Sequence, residues 1–106
     1  MKVLIGMKEE WEVVKFMNIL NERKAYLKQK YKVKKIGVFG SFLRNRQNKN
    51  SDLDILVEFF EHPSLFKFVE LENYLSEILG VKVDLVMEDA LKPNIGKRIL
   101  SEAVYI

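Results

Sequence analysis

The amino-acid sequence predicts an α+β (layered α/β) domain, a small sheet with helices packed against it. Three observations predict it. Stretches with a helical apolar period, at 8–31 and 65–79, alternate with short β-branched stretches at 32–40, 52–59 and 81–87. Glycine, proline and serine stand at the junctions, where turns and caps need them. A chain of 106 residues has room for one core, so the elements are expected to share it as one domain over 1–106.

Taken in order, MKVLIG at 1–6 reads either as a short strand or as the approach to a helix. Residues 8–31 read as one helix. Val13, Phe16, Met17, Leu20, Leu27 and Tyr31 recur at steps of three, four and seven and build one apolar stripe. Glu9 and Glu10 open it and Lys28 and Lys30 close it, in line with the helix macrodipole. KVKKIGVFG at 32–40 is a strand ending on glycine, and Ser41 stands where a helical turn would start. RNRQNKNS at 44–51 is a polar loop, DLDILVEF at 52–59 the next strand, and HPS ends it. Residues 65–79 form a second amphipathic helix, with Ser64 as N-cap and Gly80 just past its end. VKVDLVM at 81–87 is a third strand. Pro93 fits the first turn of a last helix over 93–102, and AVYI reads as a short closing strand.

Composition bounds the function. Hydrophobic residues at 48% and charged residues at 31% fit a soluble globular chain, with no apolar run long enough for a membrane span or a secretory leader. There is no cysteine, which excludes disulfides and thiolate metal sites and permits a reducing cytoplasm, the expected location. A net charge of +3 suits an anionic ligand such as a nucleotide. With 18 basic residues against 15 acidic ones, no direct nucleic-acid partner is expected.

Strand alternation singles out a group of carboxylates. Asp52 and Asp54 share a face with Leu56 and Glu58, while Leu53, Ile55, Val57 and Phe59 take the core face. In 81–87 the core set is Val81, Val83, Leu85 and Met87, which leaves Asp84 on the other face with Lys82 and Val86. If the two strands are close, three carboxylates converge. Two carboxylates about 5 Å apart repel by about 3 kcal/mol at an effective dielectric near 20. Protonation of one or a bound cation relieves this. Oxygen donors without a nearby His or Cys select Mg²⁺ or Mn²⁺, and two such ions can bridge a triphosphate and activate a hydroxyl.

Gly40 and Ser41 add a second half to the site. A glycine after a strand lets backbone approach a phosphate. N–H groups at a following helix start, with the Ser41 hydroxyl, would cradle an anion, and Arg44 is placed to pair with phosphate oxygens. A phosphate cradle beside a divalent-metal site suits phosphoryl or nucleotidyl transfer.

At these residues the sequence resembles the minimal nucleotidyltransferases of the DNA polymerase β superfamily. Their signature, GS, ten residues, then DxD, is met by Gly40-Ser41 and Asp52-Leu53-Asp54, with Arg44 and Ser51 at the accessory positions and Asp84 as the third carboxylate. LKPNIGKRILSEAVYI is similar to the usual ending of these chains. The resemblance implies a mixed sheet with helices on it. It implies Asp52 and Asp54 holding two Mg²⁺ ions (Mn²⁺ possible), Asp84 completing the metal site and drawing a proton from the acceptor hydroxyl, and Gly40 and Ser41 holding the triphosphate. It further implies an ATP-dependent protein adenylyltransferase, MntA-like, that modifies a tyrosine of a cognate HEPN-domain toxin. Such a chain is the antitoxin of a type VII pair, in complex with its toxin and away from any membrane. Two alternatives stand beside this: transfer to a small molecule or an RNA end, which keeps the same aspartates, or neutralisation of the toxin by binding alone, against which the intact aspartates argue.

The remaining features take ordinary readings. His62 is the one histidine, beside Pro63 in a turn, and reads as a surface loop residue. Trp11 reads as core or interface, Arg46 and Lys49 as solvated or facing an acidic partner, and Lys97 and Arg98 as helix charges. Tyr105 reads as packing on the sheet or on a partner.

Overall fold

The computed structural model describes residues 8–40, 52–91 and 93–106. Its elements run α1 (Lys8–Glu22), α2 (Lys24–Tyr31), β1 (Val33–Phe39), β2 (Leu53–Phe59), α3 (Leu65–Leu79), β3 (Val83–Met87), a 3-10 turn (Glu88–Ala90), α4 (Pro93–Glu102) and β4 (Val104–Tyr105). The four described strands form one mixed sheet in the order β3-β2-β1-β4. β1 is antiparallel to both neighbours, and β2 and β3 are parallel. The α+β expectation holds, and β4 is the short closing strand. No described helix is long and apolar enough to cross a membrane.

One expectation changes. Residues 8–31 are two helices, not one. The break falls at Arg23, whose backbone sits near φ −98°, ψ 3°. Its N–H is shared between the carbonyls of Ile19 and Leu20, at 3.2 and 3.1 Å, the tightening that ends a helix. The apolar stripe skips the turn between Leu20 and Leu27, so packing does not hold a straight rod there. The stripe itself survives: Phe16, Leu20, Leu27 and Tyr31 are all buried.

The core lies between these helices, α3 and one sheet face. Leu71, Leu75 and Leu79 of α3 meet Val33, Ile36, Val38, Leu53, Ile55, Val57, Val83 and Leu85. Ser64 caps α3, its hydroxyl accepting from the Lys67 N–H at 3.2 Å, and Gly80 ends it at φ 72°.

β3 is an edge strand, and α3 covers its free side. The Val83 N–H donates to Ser76 Oγ at 3.0 Å and the Leu85 N–H to Glu72 Oε2 at 2.9 Å. Those two donors flank Asp84 in sequence and would otherwise be the open side of the sheet. The Leu53 N–H donates to the Lys82 carbonyl at 2.8 Å, tying the start of β2 to the approach of β3. Together these bonds hold the register of the two strands.

Candidate active site

The parallel pairing of β2 and β3 places Asp54 directly opposite Asp84. Registered partners in a sheet share a face, so both carboxylates project from the side away from the main core. Asp54 is half-buried and Asp84 exposed. On the other flank of β2, Phe39 pairs with Asp54, and Gly40 follows at φ 84°. A β-carbon on Gly40 would collide with Asp54 Oδ2 and lie 2.9 Å from its Cγ. Glycine is required here twice over, by the backbone angle and by the Asp54 carboxylate that fills the space. The second reason was not visible in the sequence, because the contact joins two strands.

Asp52 stands just before β2, half-buried, with its Oδ2 3.9 Å from Lys82 Nζ. The Lys82 side chain is 80% exposed, and such an exposed pair contributes about 0–1 kcal/mol. Among the described residues no three acidic or histidine groups stand close enough to hold a metal ion. The expected convergence is therefore two parts formed: Asp54 and Asp84 come together, while Asp52 turns to Lys82. Sequence reasoning missed Lys82 as a partner, although its position two residues before Asp84 puts it on the same face. Ser41, Arg44 and Ser51, as well as Arg46 and Lys49, lie outside the described residues, and so does the side chain of Trp11.

Further along this face the chemistry changes. Leu56, expected on the non-core face with the aspartates, is fully buried. It is registered against Gly37, and a β-carbon on Gly37 would sit 2.6 Å from the Val104 carbonyl oxygen and 3.0 Å from Tyr105 Cδ1. β4 lies beside β1 as the other edge strand, with Tyr105 registered against Gly37, and the Tyr105 ring does pack on the sheet there. Burial pushes the Tyr105 phenol up from its ordinary value, with the charges of Glu88 and Glu58 adding to it. A cavity of about 340 Å³ at the far end of β2 and β3 is lined by Glu58, His62, Glu88 and Leu100, among others, and by none of the three aspartates. His62 is exposed, as expected of a loop residue. Lys97 and Arg98 are exposed helix charges, and Arg98 Nε lies 3.5 Å from Glu102 Oε1.

Oxygen donors on adjacent strands, with a glycine pressed against one carboxylate, can hold a hard divalent ion next to an approaching phosphate. Comparison with known proteins agrees with this chemistry. The family described as nucleotidyltransferase domain matches residues 20–106. Protein adenylyltransferase MntA of Thermococcus cleftensis is 51% identical over 89 residues, 84% of this chain and 90% of that one. A Methanocaldococcus jannaschii protein provisionally named as a protein adenylyltransferase is 54% identical over 90 residues, covering 84% and 92%. A solved structure provisionally assigned as a minimal nucleotidyltransferase superposes with a TM-score of 0.71 at 32% identity, covering 95% and 98%. The fold also recurs in a Shewanella oneidensis complex of a tri-AMPylated HEPN toxin with its MNT antitoxin, at a TM-score of 0.58 and 20% identity over 92% of this chain and 70% of that one.

Proposed function

The chain belongs to the nucleotidyltransferase domain family, and on that premise we propose that it transfers AMP from ATP to a tyrosine of a HEPN-domain toxin, as the antitoxin of a type VII pair in the cytoplasm. The observation that carries this reading is the registered pair Asp54 and Asp84 with Gly40 packed on Asp54. The names of the Thermococcus and Methanocaldococcus relatives support protein adenylylation. The Shewanella complex, alike in fold, supports the kind of partner. Residues 1–106 are taken as one domain.

The donor set fits Mg²⁺ or Mn²⁺, being carboxylate oxygen throughout. Asp52, Asp54 and Asp84 would hold the metal, which when bound would offset the charge of the triphosphate and of the transition state. Asp52 is available for this because its ion pair with Lys82 is exposed and weak beside the repulsion between carboxylates. Gly40 brings backbone close to the phosphates, with Ser41 and Arg44 assigned to the triphosphate tail. The tyrosine oxygen attacks the α-phosphorus, the bond from that phosphorus to the β-phosphate breaks, and pyrophosphate leaves. Asp84, the exposed member of the pair, takes the phenol proton.

Incubation of the protein with ATP, Mg²⁺ and its HEPN-domain partner, followed by peptide mass spectrometry, tests the reading. The expected result is AMP on a tyrosine of the partner and loss of its toxicity. An unmodified partner that is neutralised equally well by Asp52→Asn/Asp54→Asn would overturn it.

A further inference from the structure

Charge in this chain is unevenly placed. Residues 23–35 hold seven of the 18 basic residues and no acid, while the other 11 face all 15 acidic residues. A net charge of +3 therefore hides a segment of +7 on a body of −4. That segment is α2 with the first half of β1. Part of its charge is engaged: Lys30 pairs with Glu70 at 3.7 Å, Arg23 donates to the Tyr74 hydroxyl at 3.1 Å, and Lys35 lies 4.6 Å from the Tyr105 ring centroid. Lys24 donates to the Ile106 backbone oxygen at 3.4 Å. Lys28, Lys32 and Lys34 are exposed, and none has a carboxylate within ion-pair distance among the described residues.

Lys24 and Lys28 stand four residues apart, about 6 Å along the axis of α2, and Lys32 follows at its end. Beside them Phe60 leaves the end of β2 with 56% of its surface exposed. Its N–H donates to the Lys32 carbonyl at 2.8 Å, and the Lys28 ammonium lies 5.6 Å from its ring centroid. Two hollows meet at this ring, one of about 120 Å³ bordered by Lys24 and Lys34, the other of about 430 Å³ bordered by Lys32 and Glu61. Lys28 and Phe60 line both.

An exposed ring among ammonium groups that meet no acidic side chain among the described residues has the composition of a platform for single strands, where the ring stacks on a base and the cations follow the phosphates. We propose that this face binds single-stranded nucleic acid with little sequence preference. Lysine is a mobile point charge, suited to phosphate but not to reading a base edge in a fixed fork. An acidic peptide would answer the charge and leave the ring without a partner. The site is six residues along β2 from Asp54, about 20 Å, so it does not rest on the proposed AMP transfer.

The test is fluorescence anisotropy of labelled 12-mers, U12 RNA and T12 DNA, with the full chain at 50 mM salt. Both are expected to bind, and binding should fall about 10- to 50-fold on raising the salt to 200 mM. Phe60→Ala should weaken binding about 5- to 100-fold, and Lys28→Glu/Lys32→Glu should abolish it, with circular dichroism unchanged because all three side chains are exposed. Asp52→Asn/Asp54→Asn should bind like wild type. No binding by the wild type, or binding that Phe60→Ala leaves intact, would overturn the proposal. So would equal displacement of the oligonucleotide by a 12-residue polyglutamate, which would point to an acidic protein segment instead.

Discussion

At the scale of single residues the account turns on Asp54, Asp84 and the side chain that Gly40 lacks. Gly40 lacks a β-carbon because Asp54 occupies that space and because φ is 84°. Gly40→Ala should destabilise the fold by at least about 1–2 kcal/mol from the backbone alone, lowering Tm by several degrees, and should displace Asp54 and stop transfer. Asp84 lies opposite Asp54 with no bond between like charges to hold it. In EDTA, Asp84→Asn should raise Tm by about 2–4 °C, and it should lose most of the Tm rise that Mg²⁺ gives the wild type. An equal Mg²⁺ response in both proteins would contradict the assignment. Tyr31 offers a pH test away from the site. Its hydroxyl donates to Glu70 Oε2 at 2.8 Å. Burial first, then that bond, pushes the phenol well above its ordinary value, and the same bond holds the Glu70 carboxyl below its usual range. A depressed carboxyl stabilises above its unfolded pKa, and the gain is lost as pH falls through its folded value. The stability gap between wild type and Tyr31→Phe should therefore hold from neutral pH down to the ordinary carboxylate range and narrow below it. The aspartates were legible from period-two alternation alone. The packing of Asp54 on Gly40 was not, since it joins residues 14 apart that meet only through strand pairing.

At the scale of elements, caps and edges set the positions. Lys32 ends α2 in the left-handed region at φ 60°, a conformation that glycine adopts without strain. Lys32→Gly should raise stability by about 0.5–1 kcal/mol while weakening any polyanion bound at α2. A fall in Tm would contradict that reading of the helix end. Ser76 and Glu72 of α3 satisfy the edge donors of β3 on either side of Asp84. Ser76→Ala should cost about 1 kcal/mol and speed hydrogen exchange at Val83, with helix content unchanged. The boundaries of α3, β1 and β2 were readable because Ser64, Gly40 and Gly80 mark them with cap and turn chemistry. The division of 8–31 was not, because no proline or glycine stands at Arg23. Its sign is a gap in the apolar stripe, which a continuous helix with one solvated turn would also show.

At the scale of the whole molecule, the aspartates of the candidate site and the basic segment 23–35 lie apart. The aspartates gather where β2 and β3 begin, and the lysines of α2 gather about Phe60, where β2 ends. The average of +3 concealed this, and with it the reason to expect a polyanion at one end and a cation at the other. The central claim concerns the aspartate end, that Asp54 and Asp84 form a metal-dependent site for nucleotidyl transfer. Transfer of label from [α-³²P]ATP to the HEPN-domain partner tests it most directly, with wild type, Asp54→Asn and Asp84→Asn compared in Mg²⁺ and in EDTA. The account predicts label on the partner for wild type in Mg²⁺ alone, reduced at least about 100-fold in each variant. Label that persists in EDTA, or in Asp54→Asn, would contradict it.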